Sequence, residues 1–310
     1  MGNDPAPAPV PARLMSDKPR WEVEGRGWPH GGHSRFVEAG GVRWHVQGWG
    51  QGPVALLLHG AGAATHSWRG LAPALAERFT ILAPDLPGHG FTSTPRGPLS
   101  LDRMAAQTRA LVTSLNVDVD LIVGHSAGAA LGLRLAIDGP PPTAVVAING
   151  ALRPFAGPFA PVARGLALGL FANPLAVAAF AHGAGDMRRV ERLIGGTGSR
   201  LDAQGLDLYR RLFRTRGHVA ATLGMMGAWD VEPLLRDLPG LKSRLVLVAG
   251  ARDAAVPPEV SREVASSVPG ADLVVLEGLG HLAHEEAPDR VADVILEQAR
   301  ALNLIGDATS

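Results

Sequence analysis

The chain of 310 residues contains no cysteine. Disulfides, thiolate metal sites and cysteine nucleophiles are therefore excluded. Net charge is also missing, because 29 basic and 29 acidic residues cancel. Nothing in that balance points to nucleic acid as a partner. No run of about 18 apolar residues is free of charge or proline, so a membrane span is not expected. The nearest, Gly165 to Ala181, is broken by Asn173 and Pro174, which leaves only surface contact with a membrane open. Met1 to Val10 is rich in Ala and Pro and lacks an apolar h-region. A secretory signal is not expected, and a cytoplasmic location is. Gly60-Ala61-Gly62 has neither the G-x-G-x-x-G spacing nor a following Lys-Ser/Thr. Dinucleotide and P-loop readings fail on that ground, and no cofactor is expected. There is no internal repeat.

What remains is a chain 46% hydrophobic and 19% charged, the composition of a soluble globular protein. Residues 1–20 carry five Pro without apolar periodicity and read as a disordered tail. Arg35–Val37 and Val42–Val46 flank Gly40-Gly41, a hairpin signal. Val54–Leu58, Phe79–Ala83, Leu121–Val123 and Ala144–Ile148 are continuous apolar runs, as expected of parallel strands buried on both faces. Helical stretches at Trp68–Glu77 and Asp102–Leu115 alternate with them. From Arg153 to Leu241 the strand signal stops, and helical segments such as Leu201–Phe213 and His218–Trp229 replace it. Alternation resumes with the strand Arg244–Ala249, the helix Pro258–Ser267, the strand Leu273–Leu276 and the helix Pro288–Leu302. This predicts a doubly wound, mainly parallel sheet. Its core comprises residues 21–152 and 242–305, with a helical cap over 153–241 inserted between them.

The chemistry concentrates at expected strand ends, where open α/β sheets build their sites. Leu121–Val123 runs into Gly124-His125-Ser126-Ala127-Gly128 and then into a small-residue helix. A G-x-S-x-G between strand and helix puts the serine on a strained turn with its hydroxyl exposed. Asp253 follows the Arg244 strand and His281 follows the Leu273 strand. The order Ser126, Asp253, His281 is the triad order of this architecture. His281 would take the proton that makes the Ser126 hydroxyl a nucleophile, and Asp253 would hold the imidazole in the right tautomer. Backbone N–H groups of Ala61 and Ala127 would face the oxyanion.

Competing assignments exist for each of these residues. Asp253 could be a turn residue, and Asp230 is the alternative acid. Asn149 ends the Ala144 strand but is an amide and cannot serve. His284 competes with His281, although a lone His-x-x-His without a third ligand makes a poor metal site, and no metal is expected. His59 is read as support for the oxyanion loop, and His125 and His284 as packing residues. Phe155, Phe159, Leu170 and Phe171 in the cap are the candidate lining of an apolar pocket over Ser126, suited to a small hydrophobic substrate.

These motifs resemble the α/β-hydrolase superfamily over nearly all of residues 30–305. A closer similarity runs through Trp28-Pro29, His33–Val37, Arg43–Gln47, Gly124–Ala130, Gly195–Arg200 and Gly280–Pro288. There the chain looks like the family of magnesium chelatase accessory hydrolases of bacteriochlorophyll biosynthesis. The resemblance implies an α/β-hydrolase fold with an eight-stranded sheet and an inserted helical cap. It implies a place in tetrapyrrole metabolism and in photosynthesis, with a tetrapyrrole as substrate and magnesium chelatase as partner. Three functions fit. The first is a cofactor-free serine hydrolase acting on an ester or related acyl bond. The second is a non-catalytic tetrapyrrole-binding or chelatase-assisting protein with a vestigial triad. The third is a C–C hydrolase or perhydrolase using the same groups.

Overall fold

The computed structural model describes residues 17–154 and 173–306. Its centre is an eight-stranded sheet ordered β1-β2-β4-β3-β5-β6-β7-β8. The strands are β1 Ser34–Ala39, β2 Val42–Gly50, β3 Val54–Leu58, β4 Thr80–Pro84, β5 Leu121–His125, β6 Ala144–Ile148, β7 Arg244–Gly250 and β8 Asp272–Leu276. β1, β2 and β4 pair antiparallel, and β3 to β8 run parallel. The expected hairpin forms at β1–β2, where Gly40 and Gly41 both take positive φ, 57° and 74°.

The continuous apolar runs are central strands because both sheet faces are covered. All five residues of β5 and of β6 are buried. Alternate residues feed opposite cores, as a period of two requires. Leu56, Leu58, Ile122, Val145 and Leu247 pack on one side with the helices Leu101–Leu115 and Ala127–Asp138. Leu57, Leu121, Val123, Val146 and Val248 pack on the other with the helices Leu71–Ala76 and Pro288–Ala301.

Two expectations shift. The helix foreseen from Trp68 begins at Leu71, after a separate 3-10 turn at Thr65–Trp68. A continuous helix from Trp68 would drive the Pro73 ring into the Arg69 carbonyl, whereas a start at Leu71 puts Pro73 in the first turn, where proline is tolerated. Part of the expected tail is also attached. Asp17 bonds the Arg216 side chain and the backbone N–H of Gly217, and the buried Lys18 ammonium donates to the Thr92 carbonyl at 2.8 Å.

Between β6 and β7 the described chain is helical: Pro174–Gly183, Met187–Gly195, Ala203–Phe213, Arg216–Ala228 and Glu232–Asp237. Short polar residues set three of these starts. Asn173 accepts from the N–H groups of Leu175 and Ala176, Asp186 from that of Arg188, and Asp202 from that of Gly205. Phe155, Phe159, Leu170 and Phe171, the expected pocket residues, lie outside the described residues. No described helix is long and apolar enough to cross a membrane.

The helix Ala127–Asp138 lies against the sheet through small residues. A Cβ on Gly128 would come within 2.0 Å of the Leu58 carbonyl oxygen and 2.6 Å of that of His59, both backbone atoms. Gly128→Ala is therefore expected to lower unfolding free energy by about 3 kcal/mol, the upper end of ordinary overpacking costs. Urea denaturation measures it, and a loss under about 1 kcal/mol would mean that the helix moves away freely.

Candidate active site

The parallel strands end along one edge of the sheet, and their neighbours in the order β3-β5-β6-β7-β8 deliver the candidate residues side by side. β3 leads to His59–Gly62, β5 to Ser126, β6 to Asn149, β7 to Asp253 and β8 to His281.

Ser126 sits between β5 and the helix Ala127–Asp138 at φ 52°, ψ −115°. A non-glycine residue in that region costs on the order of 1–3 kcal/mol. The surrounding ladder holds it there: its N–H donates to the Ile148 carbonyl at 3.0 Å, and its carbonyl accepts from Ala129 and Ala151. The Ala127 N–H belongs to the first turn, which has no intrahelical acceptor, and lies at the positive end of the helix dipole.

The loop after β3 approaches this turn closely. A Cβ on Gly60 would lie 2.7 Å from His125 Nδ1 and 3.1 Å from Ser126 Cβ. His59 holds the loop in place. The Leu86 N–H donates to His59 Nε2 at 2.9 Å, so Nδ1 carries the proton and donates to the Gly60 carbonyl at 2.8 Å. Burial lowers the His59 pKa, which keeps that ring neutral. Asp85, fully buried, accepts from the N–H groups of Thr65 and Phe91 and from His45 Nδ1, tying the next loop to the same region. Burial alone would raise its pKa, but the His45 contact and these donors bring it below the usual carboxylate range.

Asp253 and His281 meet directly, Nδ1 to Oδ2 at 2.7 Å. The Asp253 carboxylate takes three further donors. Asn149 Nδ2 reaches Oδ2 at 2.6 Å, and the Ala255 and Val256 N–H groups reach Oδ1, each at 2.8 Å. With Nδ1–H committed to Asp253, a neutral His281 ring has its lone pair on Nε2. Ser126, Ala127, Ala61 and His281 line one cavity of about 730 Å³.

His125 and His284 do not line up as metal ligands. His125 Nε2 donates to the His281 carbonyl at 2.9 Å, and His284 Nε2 bonds Ser67 Oγ at 2.9 Å. Among the described residues, no three His, Asp or Glu side chains are grouped to hold a metal ion. Asp230 bonds the N–H of Glu232 at a helix start and lies apart from His281's partner set. Asn149 is the residue that sequence reasoning undervalued. As an amide it was discounted as an acid, yet its buried N–H₂ donates to Asp253. Its position one residue beyond the Ala144 strand is the only signal in the sequence; the neighbouring strand that leads to Asp253 comes from the fold.

Most of the rest of the cavity wall is apolar, with Phe180, Leu193, Ile194, Phe213, Val219, Met225, Met226 and Trp229 from the insertion and Val256 and Val260 from the core, while Arg153, Thr197, Tyr209 and Thr222 add polar groups. Tyr209 Oη donates to the buried Glu285 at 2.7 Å, which joins the insertion to the loop after His281.

A family model described as the alpha/beta hydrolase family matches residues 55–294. The chain belongs to that family. It is 40% identical over 273 residues to the magnesium-chelatase 30 kDa subunit of Rhodobacter capsulatus, covering 87% of this chain and 95% of that protein. Among solved structures it is similar to an alpha/beta hydrolase fold protein from Burkholderia ambifaria, with TM-score 0.72, 24% identity, and 86% and 100% of the two chains covered. It is also similar to a haloalkane dehalogenase variant from Bradyrhizobium elkanii, with TM-score 0.71, 22% identity, and 87% and 97% covered.

The buried imidazoles make stability depend on pH. Burial, with His284 and His281 adding to it, holds His125 well below the ordinary value of 6.5. His66 and His89 are likewise held low by burial, and His218 and His284 fall to about 3. These rings stay neutral in the fold, while the unfolded chain takes up protons below 6.5. Their contribution is complete above that value and is lost as pH falls toward 3. Thermal melts are expected to show a midpoint that begins to drop below about pH 6.5. A midpoint constant down to about pH 4.5, where carboxylates begin to protonate, would contradict this.

Proposed function

We propose that this chain is a cofactor-free serine hydrolase that cleaves an ester or related acyl bond of a small hydrophobic substrate. The observation that carries the reading is the Asp253–His281 hydrogen bond, with His281 and the strained Ser126 lining one apolar cavity. In this reading Ser126 Oγ attacks the acyl carbon while His281 Nε2 takes its proton. The carbonyl electron pair moves onto oxygen, where the N–H groups of Ala61 and Ala127 receive it. One such donor is worth about 3–4 kcal/mol of barrier. As the carbonyl re-forms, the bond to the leaving oxygen breaks, and His281 gives that oxygen its proton. Water then attacks the acyl-Ser126 ester with His281 again as base. The acid departs, and Ser126 Oγ recovers its proton. Asp253 holds the Nδ1–H tautomer and stabilises the imidazolium at each step. Asn149 holds Asp253.

The described helices between β6 and β7, from Pro174–Gly183 to Glu232–Asp237, act as a cap that covers Ser126 with mostly apolar side chains. The magnesium-chelatase name of the Rhodobacter relative, together with the motif resemblance, supports a tetrapyrrole substrate and magnesium chelatase as a partner. The same identity over 95% of that relative favours one second reading, a chelatase-assisting protein whose triad is not used. C–C hydrolysis and perhydrolysis would use the same groups and differ in product.

A fluorophosphonate probe is expected to label the wild-type protein and to leave Ser126→Ala unlabelled. Absence of labelling on the folded wild type would overturn the hydrolase reading. Pigment synthesis restored in a deletion strain by Ser126→Ala would favour the second reading. Asn149→Leu is expected to reduce kcat by about tenfold or more, the worth of one hydrogen bond to a charge, with KM little changed. A wild-type kcat in that variant would remove Asn149 from the site.

A further inference from the structure

We infer that the ligand of the cavity carries a carboxylate apart from its reacting acyl bond, and that Arg153 receives it. The inference takes the reaction from the hydrolase reading and adds the substrate class, an amphipathic acid with an apolar body.

The cavity is of the size that encloses a small organic molecule. Its described wall contains no Asp, Glu or Lys, and its one permanent charge is Arg153. That residue stands in the segment leaving β6, and the backbone there is tied to the nucleophile turn. The Ala151 N–H donates to the Ser126 carbonyl at 3.0 Å. Arg153 is thus held near the turn, in a wall that is mostly apolar and whose other polar members, Ser126, Thr197, Tyr209, Thr222, His125 and His281, carry no permanent charge.

Its guanidinium pairs with Glu263. Glu263 lies one turn beyond Val260, a wall residue, on the helix Pro258–Ser267. The two side chains are 42% and 60% exposed. An ion pair so open to water is worth about 0–1 kcal/mol, so exchanging its acid costs little. A neutral apolar ligand filling the cavity would strip water from a cation and give nothing back. A ligand carboxylate restores the lost hydration through the planar fork of donors, which accepts two oxygens at once. The bland alternative is an ordinary surface pair, and it does not explain a guanidinium built into the wall.

Calorimetric titration of the full-length Ser126→Ala protein with dodecanoic acid and with dodecanol tests this without turnover. The acid is expected to bind about tenfold tighter, the difference made by one charge-assisted hydrogen bond. Arg153→Gln is expected to bring the acid down to the alcohol's affinity. Arg153→Lys should retain part of the preference, and Glu263→Gln should strengthen acid binding by removing the competitor. Equal affinities in the protein with Arg153 intact, or a preference that survives Arg153→Gln, would overturn the inference. The hydrolase reading fails separately. Preference for the acid without fluorophosphonate labelling of wild type removes the reaction and keeps the subsite. Labelling without preference does the reverse.

Discussion

The backbone of Ser126, at φ 52°, ψ −115°, is the constraint on which the site depends. No local preference holds a serine there. The strain is offset by a sheet buried on both faces, whose strands β3, β5 and β6 grip the turn from either side. Ile148 accepts its N–H, Ala151 returns a donor to its carbonyl, and the Leu58 backbone leaves room beside it only for Gly128. Stability assembled by a large apolar core is concentrated into one unfavourable residue. The result is a hydroxyl at the mouth of a helix dipole.

The polar groups around this turn are satisfied in layers. Asp253 receives donors on both oxygens, from His281, Asn149 and two backbone N–H groups. Such a carboxylate remains an acceptor and keeps the His281 ring in one tautomer. Behind it, His125 and His284 stay neutral because burial excludes a second charge beside His281. A neutral ring can bridge a backbone carbonyl or a serine hydroxyl in the dry interior. A charged one there would have no counter-ion. Acid sensitivity is the consequence of using imidazoles as structural struts.

The insertion between β6 and β7 brings the opposite chemistry. Its wall side chains are mostly apolar, and its attachment to the core combines hydrogen bonds, through Tyr209 and Arg69 on the buried Glu285 and through Asp202 on Arg69, with apolar packing of Leu208 and Leu212 against Trp28 and Phe91. Arg153 stands where this apolar surface meets the exit of β6, the one permanent charge in the described wall.

Periodicity and composition determined the alternation of strands and helices and the hairpin at Gly40-Gly41, and motif and order brought forward Ser126, Asp253 and His281 as candidates. Each is written in local chain chemistry: apolar runs, glycine pairs, and polar residues just beyond strands. The loss of the strand signal after Arg153 raised the expectation of a helical insertion. Tertiary structure decided what no window of sequence contains. Strand order set Asn149 beside Asp253, since β6 and β7 are neighbours although their ends lie far apart in the chain. Long-range contacts drew Asp17 and Lys18 out of the expected tail. The fold also selected Arg153 from the several arginines of the insertion. A guanidinium becomes a recognition group only beside an apolar surface that encloses a ligand, and that surface belongs to the packed cavity, not to the residue.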